Sequence, residues 1–280
     1  SMGRETAVLR VLRPLRCAGI EVMDYDGLYE VLAQEIPLDH INEEWLMNAA
    51  MNSSVIHVRK LKRIMDVMAA VVGLVLSAPL AGLAALLIRM TSPGPVLFRQ
   101  LRCGIDGVPY TLLKFRTMRA DAEAQSGAVW AAQNDNRVTP IGAFLRKWRV
   151  DEIPQLVNVL QGHMSLVGPR PERPEFVETL SEAIPFYRER LLVPPGVTGW
   201  AQVKYPYAAS IEAARRKLQF DLYYIKHMGF SIDCLILLRT FRTILVGLKH
   251  SESAGEPPGD GRVIPLAPAG DRHSSGARSA

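Results

Sequence analysis

The segment VMAAVVGLVLSAPLAGLAALLI, residues 67–88, carries no charged side chain and dominates the hydropathy of the chain. As a helix it would be about 33 Å long, enough to cross the hydrocarbon core of a bilayer. Pro79 lies near its centre and Ser77 two residues earlier. Proline lacks the N–H that a helix interior needs, and a serine hydroxyl can satisfy a freed carbonyl. We therefore predict a helix–break–helix element over about residues 64–90, with its break at Ser77 and Pro79.

Basic side chains flank this segment on both sides. They are Arg59, Lys60, Lys62 and Arg63 before it, and Arg89, Arg99 and Arg102 after it. Because Lys and Arg mark the cytoplasmic side of a membrane, equal marking predicts that both ends lie on that side. A re-entrant element that enters one leaflet and returns explains this pattern better than a crossing does. The alternatives are an ordinary spanning anchor and a buried helical hairpin of a soluble protein.

The composition excludes several classes of protein. With 48% hydrophobic and 22% charged residues in 280, the chain is globular rather than disordered. Its formal charge of +5 suits an anionic partner, such as a lipid headgroup surface, a phosphorylated substrate or a nucleic acid. The three cysteines form no C-x-x-C motif and the six histidines show no metal-ligand spacing. We therefore expect neither a zinc site nor a disulfide framework, as in a protein of the reducing cytosol.

The remaining segments predict an α+β fold that is mainly helical. Residues 1–54 resemble a fragment of a cytosolic α/β region, and turn signals at 92–95 and at 106–107 predict a small β-hairpin. The stretch 141–150 is a basic amphipathic helix of the kind found at a membrane interface. The stretch 230–250 is strongly apolar but interrupted by charges, which suits an interfacial or a core helix rather than a span. Residues 251–280 are rich in Gly, Pro and Ser and predict a disordered tail. Arg63 and Asp66 stand one helical turn apart, and we expect them to pair.

Two adjacent carboxylates occur in RVDEIPQL, residues 149–156. Asp151 can be the N-cap of a helix, with Glu152 in the first turn and Pro154 tolerated there. The same two side chains can instead form a catalytic pair. These eight letters alone favour the capping interpretation, because capping signals are far commoner than catalytic pairs, so the rest of the chain has to decide.

Several cations stand on segments that could hold a diphosphate. Lys114 and Arg116 occur in KFRTM, Arg146 lies five residues before Asp151, and Arg170 lies in the proline-stiffened GPRPERPEF. Each has an ordinary structural alternative, such as a charge at a strand edge, on a helix surface or in a rigid connector. The sequence has no glycine-rich phosphate loop and no Ser/His/Asp set, which favours Mg²⁺ held by carboxylates and substrate phosphates as the charge neutraliser.

Several motifs together resemble the bacterial sugar transferase family. They are KRIMD (62–66), SAPL (77–80), LFRQLRCG (97–104), LLKFRTM (112–118), LRKWRVDEIPQLVNVLQGHMSLVGPRP (145–171) and PGVTGWAQV (195–203). They occur in consistent order over about residues 57–250, and their joint occurrence is far more specific than any single motif. The resemblance identifies residues 55–250 as a membrane-anchored phosphoglycosyl transferase domain, with residues 1–54 from a longer form of the family.

The resemblance implies a chemistry and a place in the cell. Asp151 would attack the β-phosphate of a UDP-sugar, UMP would leave, and the aspartyl phosphosugar would pass to polyprenyl (undecaprenyl) phosphate. Glu152 would bind Mg²⁺ or assist the acceptor, and Asp151 would be the second ligand of the Mg²⁺. Lys114, Arg146, Arg170 and Asp233 match family positions near the phosphate site. The implied location is the cytoplasmic face of the bacterial inner membrane, at the first membrane step of exopolysaccharide or other glycoconjugate assembly.

The same resemblance leaves some matters open. It implies membrane lipids as partners and no nucleic acid, and it leaves a homodimer open. A catalytically silent scaffold of a polysaccharide assembly machine is the alternative function. His163 stands where relatives usually carry Asp, and residues 204–207 replace the Asn-Gly-Arg that often follows WAQV in short members. These departures leave the sugar unspecified.

Overall fold

The computed structural model describes residues 25–41, 56–119, 136–205 and 210–246, together with Pro14, Cys17, Ala18 and Ala122. Most of the predicted N-terminal fragment and all of the predicted tail lie outside the described residues.

Helices dominate the described part of the chain, with two small sheets between them. The helices are α1 (Tyr25–Ala33), α2 (Ile56–Thr91), α3 (Pro140–Lys147), α4 (Gln155–Gln161), α5 (Pro174–Ala183), α6 (Trp200–Lys204), α7 (Ile211–His227) and α8 (Phe230–Val246). The strands are β1 (Leu97–Cys103), β2 (Pro109–Phe115), β3 (Ser165–Val167) and β4 (Gly196–Thr198). The predicted mainly helical α+β fold is confirmed.

The predicted hairpin is confirmed in β1 and β2. The two strands pair antiparallel, with Leu97 opposite Phe115 and Cys103 opposite Pro109. Their connection turns at Asp106 and Gly107, which have φ angles of 54° and 77°. Aspartate and glycine are residues that tolerate this left-handed conformation, which is why the Asp-Gly signal marks the turn.

Helix α2 continues through the predicted break. Pro79 lies inside the single helix Ile56–Thr91, so the prediction that the helix is interrupted at Ser77 and Pro79 is wrong at the level of secondary structure. A proline removes only its own N–H, and the helix on each side is held by side-chain packing against the rest of the domain. The Ser77 hydroxyl donates to the carbonyl oxygen of Leu74 at 3.5 Å, within the same turn.

The first half of α2 is fastened to α4 and β3 by two polar side chains. The Arg63 guanidinium donates to the carbonyl oxygens of Val159 and Leu160 at the C-terminal end of α4, the latter at 2.8 Å. The Asp66 carboxylate accepts from the Leu166 N–H at 3.1 Å. The predicted pairing of Arg63 with Asp66 is therefore wrong: each side chain satisfies backbone groups of another element, since orphan carbonyls end every helix.

The second half of α2 packs against the same domain. Ala84 and Ile88 are buried with Phe115, Leu145 and Val150. Its remaining face is apolar and exposed, with Val75 at 68% and Leu76 at 77% exposure. Within the described residues, α2 is the helix that is long and apolar enough to cross a membrane. Its exposed face distinguishes it from the buried helix of a soluble core.

Helix α7 and Trp200 form the centre of the largest hydrophobic cluster, and the segment 25–41 packs on it. Trp200 is fully buried and its Nε1 donates to the carbonyl oxygen of Gln34 at 2.9 Å. Ion pairs join the same segment to α7, among them Glu30 with Lys226 at 2.6 Å. The described part of the predicted cytosolic fragment is therefore docked against the rest of the fold.

Candidate active site

The two carboxylates lie in a short 3-10 turn between α3 and α4. This turn, Val150–Glu152, begins after Arg149, which has a left-handed φ of 55°. Val150 packs against α2, and the side chains of Asp151 and Glu152 are nearly buried. The N-cap position of α4 is Pro154, and it makes no side-chain capping bond. The capping interpretation of Asp151 is therefore wrong, because the chain turns once more before α4 begins.

Glu152 is surrounded by positive charge. Its Oε1 lies 3.3 Å from Lys114 Nζ, 3.4 Å from an Arg149 nitrogen and 3.2 Å from an Arg170 nitrogen. Burial alone would raise the pKa of Glu152, but the three cations outweigh it and lower the pKa to about 2. Glu152 is therefore ionised at any physiological pH and holds the cations in place.

Lys114 extends from β2 and carries an unusual pKa. Burial lowers the pKa of Lys114 to about 8, with Glu152 opposing the shift and Arg170 adding to it. A lysine in this range is charged at neutral pH and loses its charge at mildly alkaline pH. Lys114 is therefore a titratable member of the cation cluster, whereas the two arginines stay charged.

Asp151 has a free oxygen and a raised pKa. Its Oδ1 is buried and has no hydrogen-bond partner among the described residues. Burial and the neighbouring Glu152 raise the pKa of Asp151, while Lys114 and the arginines nearby oppose the rise. A carboxylate oxygen that has no hydrogen bond to lose and has an increased basicity is a competent nucleophile.

Arg146 reaches the same site from the last turn of α3. Its Nε donates to the hydroxyl of Thr117 at 2.8 Å. Its charge is one of those that oppose the rise in the pKa of Asp151. Helix α3 comes close to residue 117 because Gly142 lacks a side chain: a Cβ there would lie 2.0 Å from the Thr117 carbonyl oxygen. Thr117 and Gly142 were not among the predicted site residues.

Arg170 lies on the loop that joins β3 to α5. The loop is held by β4 through the Gly168 N–H, which donates to the Thr198 carbonyl oxygen, and the Gly196 N–H, which donates to the Pro169 carbonyl oxygen, both at 2.9 Å. Strands β3 and β4 pair in parallel and were not predicted, because three-residue strands give too little periodicity to detect. They supply the rigid support that the prolines of the loop only suggested.

Two of the predicted site residues are not brought to the pair. Arg116 donates to the carbonyl oxygens of Ser92 and Pro93, each at 2.8 Å, and so fastens the turn after α2. Asp233 pairs with Lys62 at 2.5 Å and accepts from the Tyr224 hydroxyl at 2.9 Å. The first contact set holds the end of α2 and the second joins α2 to α8, so the phosphate-binding role remains a prediction for both residues.

Asn158 is a supporting residue that the prediction missed. It is buried in α4, accepts from the Leu113 N–H at 2.9 Å and donates to the Thr111 carbonyl oxygen at 2.8 Å. It thereby fixes the helix after the carboxylates to the strand that carries Lys114. An amide within the otherwise apolar LVNVL was the available signal, since a buried amide needs partners from a neighbouring element.

The carboxylate pair fits Mg²⁺ in donor type. Among the described residues no group of three or more His, Cys, Asp or Glu side chains could hold a metal ion. Mg²⁺ is nevertheless bound in many phosphate enzymes by one or two carboxylates, with waters and substrate phosphates completing the shell. The unbonded Oδ1 of Asp151 is a hard oxygen donor of the required kind, and Glu152 stands beside it.

These features place three cations around one ionised carboxylate, next to a second carboxylate with an unbonded oxygen. Comparison with known proteins gives the class. A family model described as bacterial sugar transferase matches residues 57–247, and the chain belongs to this family.

Three relatives indicate how close the match is. A protein of Aeromonas hydrophila named UDP-N-acetylgalactosamine-undecaprenyl-phosphate N-acetylgalactosaminephosphotransferase is 43% identical over 238 residues, which are 85% of this chain and 55% of the relative. A UDP-glucose:undecaprenyl-phosphate glucose-1-phosphate transferase of Caulobacter vibrioides is 44% identical over 186 residues, 66% of this chain and 69% of the relative. A Rhizobium leguminosarum protein named exopolysaccharide production protein PSS is 40% identical over 185 residues, 64% of this chain and 92% of the relative. The chain thus spans about half the length of the Aeromonas relative.

Proposed function

We propose that this chain transfers a sugar phosphate from a UDP-sugar to polyprenyl phosphate, giving a polyprenyl-diphosphate sugar and UMP. The names of the relatives support this reaction class, since they describe undecaprenyl-phosphate sugar-phosphate transferases. The structural observation that carries the proposal is the unbonded buried oxygen of Asp151 beside the cation cluster on Glu152.

The first half-reaction follows from this arrangement. The Asp151 oxygen attacks the β-phosphorus of the donor, a new O–P bond forms, and the bond from that phosphorus to the oxygen bridging the two phosphates breaks. UMP leaves with the bridging oxygen. Lys114 and Arg170 stand 3.3 Å and 3.2 Å from Glu152 and stabilise the negative charge that grows on the leaving phosphate.

The second half-reaction restores Asp151. An oxygen of polyprenyl phosphate attacks the phosphorus of the aspartyl phosphosugar, and the Asp151 carboxylate is the leaving group. An acyl phosphate is reactive enough to be passed on, so one difficult transfer is divided into two easier ones. Mg²⁺ bound by Asp151 and Glu152 would supply further neutralisation of the diphosphate.

The contacts of α2 favour a position in which both ends of this continuous helix stay on one side of the membrane, rather than a crossing. Gly73 lies against Leu156 of α4, and Ala81 packs with the cluster that contains Leu145 and Val150. A crossing would need a stretch of helix about 30 Å long that does not touch the domain, because a bilayer core is about that thick. At 1.5 Å per residue these two contacts are only about 12 Å apart along the helix. Both contacts belong to one domain, so α2 lies along that domain and presents its exposed apolar face to the lipid.

This position places the carboxylate pair at the membrane surface. Val150, directly before the pair, packs against Ala84 and Ile88 of α2. Polyprenyl phosphate carries its phosphate at the boundary between lipid and water, so the acceptor can reach Asp151 without leaving the bilayer. We place this surface at the cytoplasmic face of the inner membrane, where nucleotide sugars are available.

Release of UMP tests the reaction. Purified protein with a panel of UDP-sugars and polyprenyl phosphate is expected to release UMP with at least one donor, and Asp151→Asn is expected to abolish release. Asp106→Asn, the same substitution in the hairpin turn, is the matched control and should retain full activity. Equal release by the wild type and Asp151→Asn, or no release with any donor by a folded protein, contradicts the proposal and leaves the scaffold function.

Labelling tests the orientation of α2. In a background without Cys17, Cys103 and Cys234, single cysteines replace Lys60 or Thr91, one near each end of the helix. A membrane-impermeant maleimide is expected to label both variants from the cytoplasmic side of inverted vesicles. Labelling of the two ends from opposite faces would show that α2 crosses the membrane.

A further inference from the structure

A buried ion pair lies behind the loop that carries Arg170. Arg190 and Asp221 are 6% and 2% exposed, and they belong to the 3-10 turn Tyr187–Leu191 and to α7. Two guanidinium nitrogens of Arg190 donate to one Asp221 oxygen, at 2.9 Å and 3.2 Å. Neither residue contacts Asp151 or Glu152 in the interactions described above, so the proposed reaction does not use them directly.

Arg190 also bonds the backbone of Arg170. One of the guanidinium nitrogens that contacts Asp221 also donates to the Arg170 carbonyl oxygen at 2.9 Å. Another nitrogen donates to the Tyr187 hydroxyl at 2.9 Å. The planar guanidinium is thus fixed by Asp221 and Tyr187 while it donates to the backbone of the loop.

Strand β1 also holds the loop. Arg102 donates to the Pro171 carbonyl oxygen at 3.0 Å, and the Cys103 N–H donates to the Glu172 carbonyl oxygen at 2.9 Å. The loop around Arg170 is therefore held by β1 as well as by the Arg190–Asp221 pair. The Arg170 side chain contacts Glu152 at 3.2 Å. Any displacement of the Arg170 backbone would therefore also displace its guanidinium from Glu152.

We propose that Arg190 is a positioning residue, and that Asp221 acts through it: the pair fixes the Arg170 backbone so that the Arg170 guanidinium meets Glu152 and the donor diphosphate. This inference rests on the proposed function. Asp221 orients Arg190, Arg190 holds the Arg170 carbonyl, and Arg170 alone touches the site. A buried pair retained for geometry agrees with the general finding that such pairs add little net stability over apolar residues.

Arg190→Lys is the informative substitution. Lysine keeps the charge opposite Asp221, but its single ammonium cannot reproduce the four bonds that the guanidinium makes to Asp221, Tyr187 and Arg170. Arg216→Lys is the matched control, because Arg216 lies on α7 and pairs with Glu35 at 3.0 Å, away from the loop. Both variants should keep thermal unfolding close to that of the wild type.

A double-mutant cycle decides between positioning and general structure. We expect Arg190→Lys to lower the single-turnover rate of UMP release roughly tenfold in the wild-type background, with the UDP-sugar that the donor panel identifies as substrate. In an Arg170→Ala background the same substitution should lower the rate of UMP release by less than about twofold, because the side chain that Arg190 positions is absent. Arg216→Lys should leave the rate unchanged in both backgrounds. An equal loss from Arg190→Lys in both backgrounds overturns the inference.

Amide hydrogen exchange gives a readout that needs no turnover. Arg190→Lys is expected to speed exchange in residues 168–172, where Gly168, Arg170 and Glu172 carry the amide hydrogens because the other two residues are prolines, and Arg216→Lys is not. Unchanged exchange in that segment overturns the positioning role even if the enzyme is active. If the wild type releases no UMP from any donor, the proposed function fails, and the exchange result still decides whether Arg190 holds the loop.

Discussion

The pKa of Lys114 predicts an alkaline limit to activity that an ordinary lysine would not give. With a pKa of about 8, Lys114 is about 90% charged at pH 7 and about 10% charged at pH 9, whereas a lysine with a pKa of 10.5 would still be almost fully charged at pH 9. If the charged form is needed for donor binding, kcat/KM should fall close to tenfold between these two pH values. The fall should be absent in Lys114→Arg, because arginine keeps its charge throughout this range.

Initial rates of UMP release at donor concentrations well below KM provide the measurement. Under these conditions the profile reports ionisations of the free enzyme rather than of the complex, in which bound diphosphate would raise the pKa of Lys114. The donor diphosphate has no ionisation near pH 8, and the uracil ring of the donor loses its proton only at higher pH. A limb that is centred near pH 8 and is absent from Lys114→Arg therefore belongs to Lys114. A wild-type profile that stays flat to pH 10, or an identical alkaline limb in Lys114→Arg, would refute the assignment of Lys114 to donor binding.

Two further predictions concern the support of Arg146. Gly142→Ala should lower the free energy of unfolding by at least about 2 kcal/mol in chemical denaturation, because the added Cβ meets the Thr117 backbone at 2.0 Å. Gly82→Ala is its control, since nothing lies within 4 Å of the added Cβ, and an equal loss there would contradict the reasoning. Thr117→Val keeps the shape of the side chain but removes the acceptor of the 2.8 Å hydrogen bond from Arg146. We expect kcat/KM for the UDP-sugar to fall roughly fivefold, without a comparable change in KM for the lipid acceptor. An unchanged kcat/KM would show that this bond does not orient Arg146.

The sequence was sufficient where the signals were local or long. The uncharged run at 67–88 predicted a helical segment, although not its continuity through Pro79, and the Asp-Gly turn predicted the hairpin of β1 and β2. The pairing of carboxylates with cations was also predictable in outline, because Lys114, Arg146 and Arg170 accompany Asp151 and Glu152 in the family motifs. The structure brings Lys114 and Arg170 to Glu152, where Arg149 joins them, whereas Arg146 bonds the hydroxyl of Thr117.

What failed depends on contacts between distant segments. Arg116 occurs in the same motif as Lys114, and two residues apart they would share one face of a continuing strand. Strand β2 ends at Phe115, however, and Arg116 turns to the Ser92–Pro93 backbone. The sequence matched Asp233 to a family position but did not show where the residue lies in the fold, since only the packing of α8 on α2 shows that Lys62 is its partner. The tight approach of α3 to Thr117 and the bond from Arg190 to the loop have no signature along the chain.

The most direct test of the account is the mass of the protein after exposure to a UDP-sugar without lipid acceptor. Intact-protein mass spectrometry is expected to show an added sugar phosphate on the wild type and none on Asp151→Asn, with peptide mapping locating the adduct at Asp151. Addition of polyprenyl phosphate should then remove the adduct. A wild-type protein that releases UMP only with acceptor present and never carries an adduct, or that carries it on another residue, would contradict the central claim.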